Sequence, residues 1–99
     1  MSSLEITTVL EARTAANEWL ISRLPDRFAA GIPEYDQDIP GWRIPVWLSY
    51  PGLAPFGPLG ELVVDESGTV GKHTPLDEIK DRATELYEQH RDQIEAPLL

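Results

Sequence analysis

The chain has 99 residues, and its formal net charge of −9 results from 17 acidic and 8 basic side chains. A surface this negative repels phosphate backbones and anionic lipids, which argues against direct nucleic-acid binding and membrane association. The absence of cysteine excludes disulfides, thiolate metal sites and a cysteine nucleophile. A hydrophobic fraction of 41% is enough for one buried core, so residues 1–99 are expected to form a single small domain.

The amino-terminal residues carry neither the basic region nor the apolar run of a secretory signal. No apolar run in the sequence approaches the roughly 20 residues that are needed to cross a bilayer. These features predict a cytoplasmic protein, and no sequence motif indicates a cofactor.

The first element predicted is an amphipathic helix that begins after Thr8. Thr8 and Glu11 have the spacing of a capping box, in which each side chain accepts a backbone N–H of the other residue. Apolar side chains then recur every three to four residues, at Val9, Ala12, Ala16, Trp19 or Leu20, and Leu24. Pro25 disfavours helical geometry at the preceding residue, so the helix is expected to end at Leu24.

Residues 42–50 alternate in a way that predicts a β-strand with one buried face. The buried face would carry Trp42, Ile44, Val46, Leu48 and Tyr50, and the opposite face Arg43, Pro45, Trp47 and Ser49. Pro45 cannot donate a hydrogen bond to a neighbouring strand, which predicts an edge position or a bulge. Upstream, residues 27–36 predict only a short edge strand, because Gly31 and Pro33 interrupt the alternation.

A β-hairpin is predicted farther along the chain. Residues 51–60 are too rich in proline and glycine for regular structure and predict an irregular loop. A strand over residues 61–65, a turn that ends at Gly68 and a return strand over residues 69–73 follow.

The last predicted element is a second amphipathic helix. Thr74 has the character of an N-cap residue, and Pro75 suits the first helical position. The apolar face would contain Leu76, Ile79, Ala83, Leu86 or Tyr87, His90 and Ile94, and the helix would end at Pro97. The sequence therefore predicts an α+β fold: an N-terminal helix, a three- to four-stranded antiparallel sheet and a C-terminal helix, with both helices on one sheet face.

Residues 60–70 combine a hydrophobic strand that ends in Asp65, a turn that ends in Gly68 and a β-branched return strand. With the preceding helix and the tryptophan-containing strand, this pattern resembles a PepSY domain over about residues 9–74. The resemblance implies a domain whose relatives are thought to inhibit or chaperone peptidases, and it brings no catalytic residues with it. PepSY domains are usually exported or membrane-tethered, whereas this sequence has no export signal and adds a long C-terminal helix.

Few residues suggest catalysis or metal binding. Glu34, Asp36 and Asp38 alternate like the start of a calcium loop, but the sixth and twelfth positions hold Ile39 and Pro45 instead of glycine and glutamate. We therefore interpret this segment as a turn and expect no metal site. His73 and His90 are the only imidazoles, and local spacing gives neither a partner. The sequence predicts a protein that is not an enzyme.

The candidate binding site is a surface that contains Trp47. With both helices on the other sheet face, this indole would project from the uncovered face beside Arg43 and near the apolar side chains Leu53 and Phe56 of the proline-rich loop. Exposed aromatic residues on a stiff loop are common anchors of protein interfaces. The alternative is that Trp47 and Phe56 pack on each other as a small satellite cluster.

Three functions follow from this hypothesis. The first is a small accessory or inhibitor protein, similar in role to an antitoxin, that binds another protein, which the acidic charge suggests is basic. The second is a homodimer formed through the same face, as a structural domain of PepSY-like type. The third is a ligand pocket or an enzyme that uses His73 or His90.

Overall fold

The computed structural model describes residues 8–96. These residues form, in chain order, α1 (Val9–Arg23), β1 (Phe28–Ala30), β2 (Glu34–Asp36), β3 (Gly41–Leu48), β4 (Phe56–Asp65), β5 (Val70–His73), α2 (Leu76–Gln89) and α3 (Arg91–Ile94). The predicted α+β fold is confirmed. No helix in this part of the chain is both long enough and apolar enough to span a membrane.

The strands form one antiparallel sheet in the order β1-β3-β4-β5, with β2 also paired to β3. β1 pairs with the C-terminal part of β3, and β2 pairs with its N-terminal part. The chain between them, residues 31–33, leaves the ladder. β1 and β2 therefore form one interrupted strand beside β3, whereas the sequence predicted a single short strand in this segment.

Both long helices contribute to one hydrophobic core against the same face of the sheet. The capping box at the start of α1 is confirmed, since Glu11 N–H donates to Thr8 Oγ1 at 3.2 Å and Thr8 N–H donates to Glu11 Oε1 at 2.9 Å. The buried apolar residues are Ala12, Ala16, Leu20, Leu24, Ala30, Ile44, Val46, Leu48, Leu59, Leu62, Val64, Ile79 and Ala83. Both helices therefore shield one sheet face, as the sequence predicted.

Pro45 does not occupy an edge strand, so the predicted edge position was wrong, but the alternative of a bulge agrees with a one-residue register shift of β1 and β2 against β3 opposite this residue. β3 is central, with strands on both sides. Gly31 N–H donates to Pro45 O at 2.8 Å, so Pro45 turns its carbonyl, and with it the position of its missing N–H, toward the break between β1 and β2. A proline is tolerated in a central strand here because the neighbouring strand is interrupted opposite it.

β4 begins at Phe56, five residues before the strand that the sequence predicted, so the prediction of an irregular loop was wrong for its second half. Val46 pairs with Gly60 and Leu48 pairs with Phe56, with a register shift between the two pairs. The extra chain is taken up by Gly57, whose φ of 140° is rarely accessible to other residues, and by Pro58, which follows a cis peptide bond. Glycine and proline therefore shape a bulge within a strand.

The hairpin between β4 and β5 turns as predicted, with Gly68 at a φ of 87°. The Asp65 carboxylate organises this turn, accepting hydrogen bonds from Ser67 Oγ at 2.6 Å and from Thr69 N–H at 3.0 Å. The bond from the Ser67 hydroxyl and the backbone N–H of Thr69 lower the pKa of Asp65, because they stabilise its charged form.

The C-terminal helix differs from the prediction at both ends. Thr74 does not cap α2: its Oγ1 accepts the N–H of Glu61 at 2.9 Å, which extends the pairing of β5 with β4, and Pro75 takes the N-cap position. The helix ends at Gln89, and a separate turn, α3, follows His90. The predicted stop at Pro97 lies outside the described residues.

Candidate functional site

The sheet face opposite the two helices, here called the reverse face, carries the candidate site. Successive residues of a strand point to opposite faces, so the residues between the buried positions of β3 and β4 belong to this face. It consists of Arg43, Pro45 and Trp47 from β3 and Glu61 and Val63 from β4. In register, Arg43 lies opposite Val63, and Pro45 lies opposite Glu61.

Trp47 lies across the reverse face between two glycines. A Cβ atom added to Gly31 would lie 2.7 Å from Trp47 Cδ1, and one added to Gly57 would lie 3.0 Å from Cε3. Only residues without a side chain permit an indole this close to the backbone on both sides. The indole is half-buried, and it packs outside the hydrophobic core beneath the helices.

A three-residue ion-pair cluster crosses the middle of the reverse face. Arg43 Nε lies 2.8 Å from Asp36 Oδ2, and one terminal nitrogen of the same guanidinium lies 2.8 Å from Glu61 Oε2. The hydrogen bond from Arg43 lowers the pKa of Asp36, and the backbone N–H of Asp38 adds to this effect. Both pairs are exposed and contribute little to stability, but they hold the charge of Arg43 between two carboxylates.

Two grooves flank this cluster, and both are lined by Arg43 and Glu61. The groove on the Trp47 side has a volume of 520 Å³ and includes Ile32 and Pro55. The groove toward β5 has a volume of 670 Å³ and includes Ile39, Val63 and Lys72. The reverse face is therefore a grooved surface with apolar patches on either side of a charge cluster whose formal charge is −1.

The structure brings together two of the four residues predicted for the site. Trp47 and Arg43 share the reverse face, but Phe56 does not, because its pairing with the buried Leu48 turns it to the helix side. There the Phe56 ring lies 4.4 Å from the ring of His90 between centroids, so Phe56 forms no satellite cluster with Trp47. Leu53 is half-buried in the preceding turn and lines neither reverse-face groove.

Sequence reasoning missed Ile32, which is 72% exposed at the rim of the Trp47 groove. The available signal was the interruption of the alternating pattern by Gly31 and Pro33. An apolar residue at such an interruption lies between two strands, and its side chain does not reach the hydrophobic core. The sequence pattern alone could not reveal that the break opens onto Trp47.

His73 lines the groove toward β5 together with the carboxylates of Asp38 and Glu61. His73 Nδ1 lies 2.8 Å from the carbonyl of Thr74, and its ring lies 4.6 Å from the Trp19 ring between centroids. Within residues 8–96, no three side chains of the metal-ligating types converge to hold an ion. Asp36 and Asp38 form the predicted turn, in which the N–H of Asp38 donates to Asp36 Oδ1 at 2.9 Å.

No known protein family, no curated protein and no solved structure matches this chain. The resemblance to PepSY domains therefore stays a prediction that depends on the hairpin at residues 60–70.

Proposed function

We propose that this protein is a non-enzymatic interaction module that binds another protein through its reverse face. The single observation that carries the proposal is the position of Trp47, which is half-buried, and so still partly accessible, on a sheet face that neither long helix covers. A tryptophan fixed in one orientation loses little conformational entropy when a partner covers it, and tryptophan is enriched among the residues that dominate binding energy.

The surroundings of Trp47 support a protein partner. The same groove contains the exposed side chain of Ile32 and two prolines, Pro45 and Pro55, whose backbones are already restricted. Such a surface is apolar at its centre, and polar residues such as Glu34 and Arg13 lie along it. This arrangement is typical of protein interfaces, which have an apolar core and a polar rim.

The charge of the chain supports a basic partner. Arg43 is neutralised by Asp36 and Glu61, so the net charge of −9 is not offset by a cationic reverse face. A protein this acidic attracts a basic surface over distances of about 10 Å at moderate salt. We propose that it acts as a small inhibitor or accessory protein, similar in role to an antitoxin, that covers the basic surface of its partner.

Two isoleucines provide a matched test. Ile32 is 72% exposed beside Trp47, and Ile21 is 70% exposed on α1, which packs on the other face of the sheet. The partner is first captured from the host with the tagged wild-type protein, identified and purified. The affinity of each variant is then measured by calorimetry. We expect Ile32→Asp to weaken binding at least roughly tenfold, since it places a charge in a desolvated interface.

Ile21→Asp should leave the affinity unchanged. Circular dichroism should give the same melting profile for both variants, because neither side chain is buried. Equal affinity of Ile32→Asp and the wild type would remove the reverse face from consideration, and equal weakening by both variants would indicate a general effect of charge.

Self-association through the same face is the second candidate function. It is favoured by the pairing of Arg43 with two carboxylates, which reduces the charge repulsion between two copies at this surface. Sedimentation across a range of protein concentrations separates the two functions. A dimer that Ile32→Asp converts to a monomer would support self-association, whereas a wild-type monomer at all concentrations would support a foreign partner.

A further inference from the structure

A second concave site lies on the helix side of the sheet, away from the reverse face. We call it the tyrosine pocket. It has a volume of 540 Å³, and its main lining residues are Arg27, Phe28, Leu48, Tyr50, Lys80 and Tyr87. It lies between α2 and the adjoining ends of β1 and β3, where α1 has already ended. Its volume is within the range of small-molecule sites in proteins, about 300–1,000 Å³.

The floor of the tyrosine pocket is apolar and its walls are aromatic. Leu48 and Ala83 are 2% and 8% exposed and belong to the hydrophobic core, so their positions are fixed. The rings of Tyr50 and Tyr87 lie 6.4 Å apart between centroids, and Phe28 is half-buried beside them. These surfaces favour a ligand with a flat apolar body.

Two cations line the pocket, one from each side. The Arg27 guanidinium lies 5.1 Å from the centroid of the Tyr50 ring, and the backbone of Arg27 is fixed by a 2.7 Å hydrogen bond from Ser49 N–H to its carbonyl. Lys80 approaches from α2. No carboxylate lines the pocket, and neither cation forms an ion pair with an acidic side chain among the described residues.

Although 17 acids are available to 8 bases, five of the 8, Arg27 and Lys80 among them, form no ion pair within the described residues. Three other basic residues, Arg43, Arg82 and Arg91, each form ion pairs with carboxylates. Two cations that share an apolar pocket are complementary to an anion, and the carboxylate beside the pocket, Glu95, accepts a hydrogen bond from the hydroxyl of Tyr87 and pairs with neither Arg27 nor Lys80. A cationic or neutral ligand would leave both of them without a counter-charge.

We propose that the tyrosine pocket binds a small organic acid with an aromatic body. The aromatic body would lie on Tyr50, Tyr87 and the apolar floor, and the carboxylate would lie between the head groups of Arg27 and Lys80. This site is separate from the reverse face, so it does not depend on the proposed function.

Three naphthalene probes test the charge preference: 2-naphthoate, the neutral 2-naphthalenemethanol and the cationic 2-naphthylmethylammonium. Their apolar bodies are the same and their charges differ. Binding to the full chain is measured by calorimetry at low ionic strength. We expect 2-naphthoate to bind at least roughly tenfold more tightly than the neutral probe, which corresponds to one charge-assisted contact, and the cation to bind most weakly.

Variants then locate the binding site. Arg27→Gln and Lys80→Gln should each weaken naphthoate binding several-fold and leave binding of the neutral probe unchanged. Lys72→Gln is the matched control, since Lys72 is exposed and lines a groove of the reverse face instead. Thr84→Trp, at an exposed position that lines the pocket, should block both probes while circular dichroism shows a folded protein.

Three results would overturn the proposal. The first is equal affinity for the anionic and neutral probes. The second is naphthoate binding that survives Thr84→Trp in the folded protein. The third is an equal loss of binding in Lys72→Gln and Lys80→Gln, which would indicate that the probe responds to total charge and not to this pocket. Ile32→Asp should not affect any of these measurements, so failure of one proposal leaves the other testable.

Discussion

At the scale of single residues, the position of Trp47 depends on two missing side chains. Gly31 and Gly57 have no side chains at the two places where the indole contacts the backbone. The large ring is therefore supported by main chain from the break after β1 and from the bulge in β4. Its orientation is set by residues far apart in sequence, and the shape of the reverse face depends on both of them.

Gly31→Ala is expected to displace the indole. The added methyl group would overlap the pyrrole edge of Trp47, and overpacking of this kind costs about 1–3 kcal/mol. Urea denaturation should therefore show a lower free energy of unfolding, and tryptophan emission should shift toward longer wavelength as the ring becomes more exposed.

Gly71→Ala is the control for this substitution. Gly71 is exposed in β5, and nothing lies within 4 Å of the position of its added methyl group. The change should be neutral or slightly stabilising, because alanine reduces the entropy of the unfolded chain. Equal stability of the two variants would show that the indole does not rest on Gly31.

At the scale of elements, α1 does more than cover the core, because it also binds the outer edge of β1. Asn17 Oδ1 accepts the N–H of Ala30 at 2.9 Å, and Arg13 Nε donates to the carbonyl of the same residue at 3.2 Å. Ala30 is 2% exposed, so its backbone groups depend on these side chains for partners. Two polar residues of a helix thus take the place of a neighbouring strand.

Asn17→Ala should therefore destabilise the protein more than an ordinary surface substitution. It leaves a buried N–H without a partner, which costs about 1–3 kcal/mol. Asn17→Asp keeps an oxygen acceptor at the same position and should lose much less stability. Chemical denaturation of both variants, with Thr14→Ala on the exposed side of α1 as a control, measures the difference. Equal losses in the Ala and Asp variants would contradict this role.

The elements that the sequence predicted best are those in which local chemistry and tertiary packing agree. Thr8, Glu11 and Pro25 bound α1 through interactions within a few residues, and they act as predicted. Thr74 has an equally good capping side chain, but the backbone N–H of Glu61 competes for it in space. That competitor is 13 residues away in the chain, so no local rule could identify it.

The same limit explains the errors at prolines. A proline restricts the residue that carries it, but whether a sheet tolerates the missing N–H depends on the strand beside it. Pro45 is accommodated by the interruption at Gly31, and Pro58 by a bulge against β3. The alternation in β3 correctly placed Trp47 opposite the core. It could not place Phe56, since that required the register of β4.

At the scale of the whole molecule, α1 and α2 pack on one shared hydrophobic core and not on each other. Ile79 of α2 and Ala16 of α1 are both fully buried in the cluster that covers the sheet. Loss of packing beneath one helix should therefore weaken the entire described structure, and residues 8–96 should unfold as one unit.

Ile79→Ala is expected to lower the free energy of unfolding by roughly 2–5 kcal/mol, the usual cost of truncating a buried isoleucine. Unfolding followed by far-ultraviolet circular dichroism and by tryptophan fluorescence should remain coincident, because helices and sheet share the core. Leu10→Ala, at a residue that is 74% exposed, should change stability by less than about 0.5 kcal/mol. Separate transitions for the two signals would indicate independent units.

The way α1 binds Ala30 has a consequence for how other chains can approach the sheet. A foreign strand laid along the β1–β2 border would find the main-chain groups of Ala30 already engaged, and the interruption at residues 31–33 would prevent a continuous ladder. Lateral extension is thereby limited to the opposite border, the four residues of β5. A single helix thus closes one border of the sheet to strand addition and leaves β5 as the border where backbone pairing is possible.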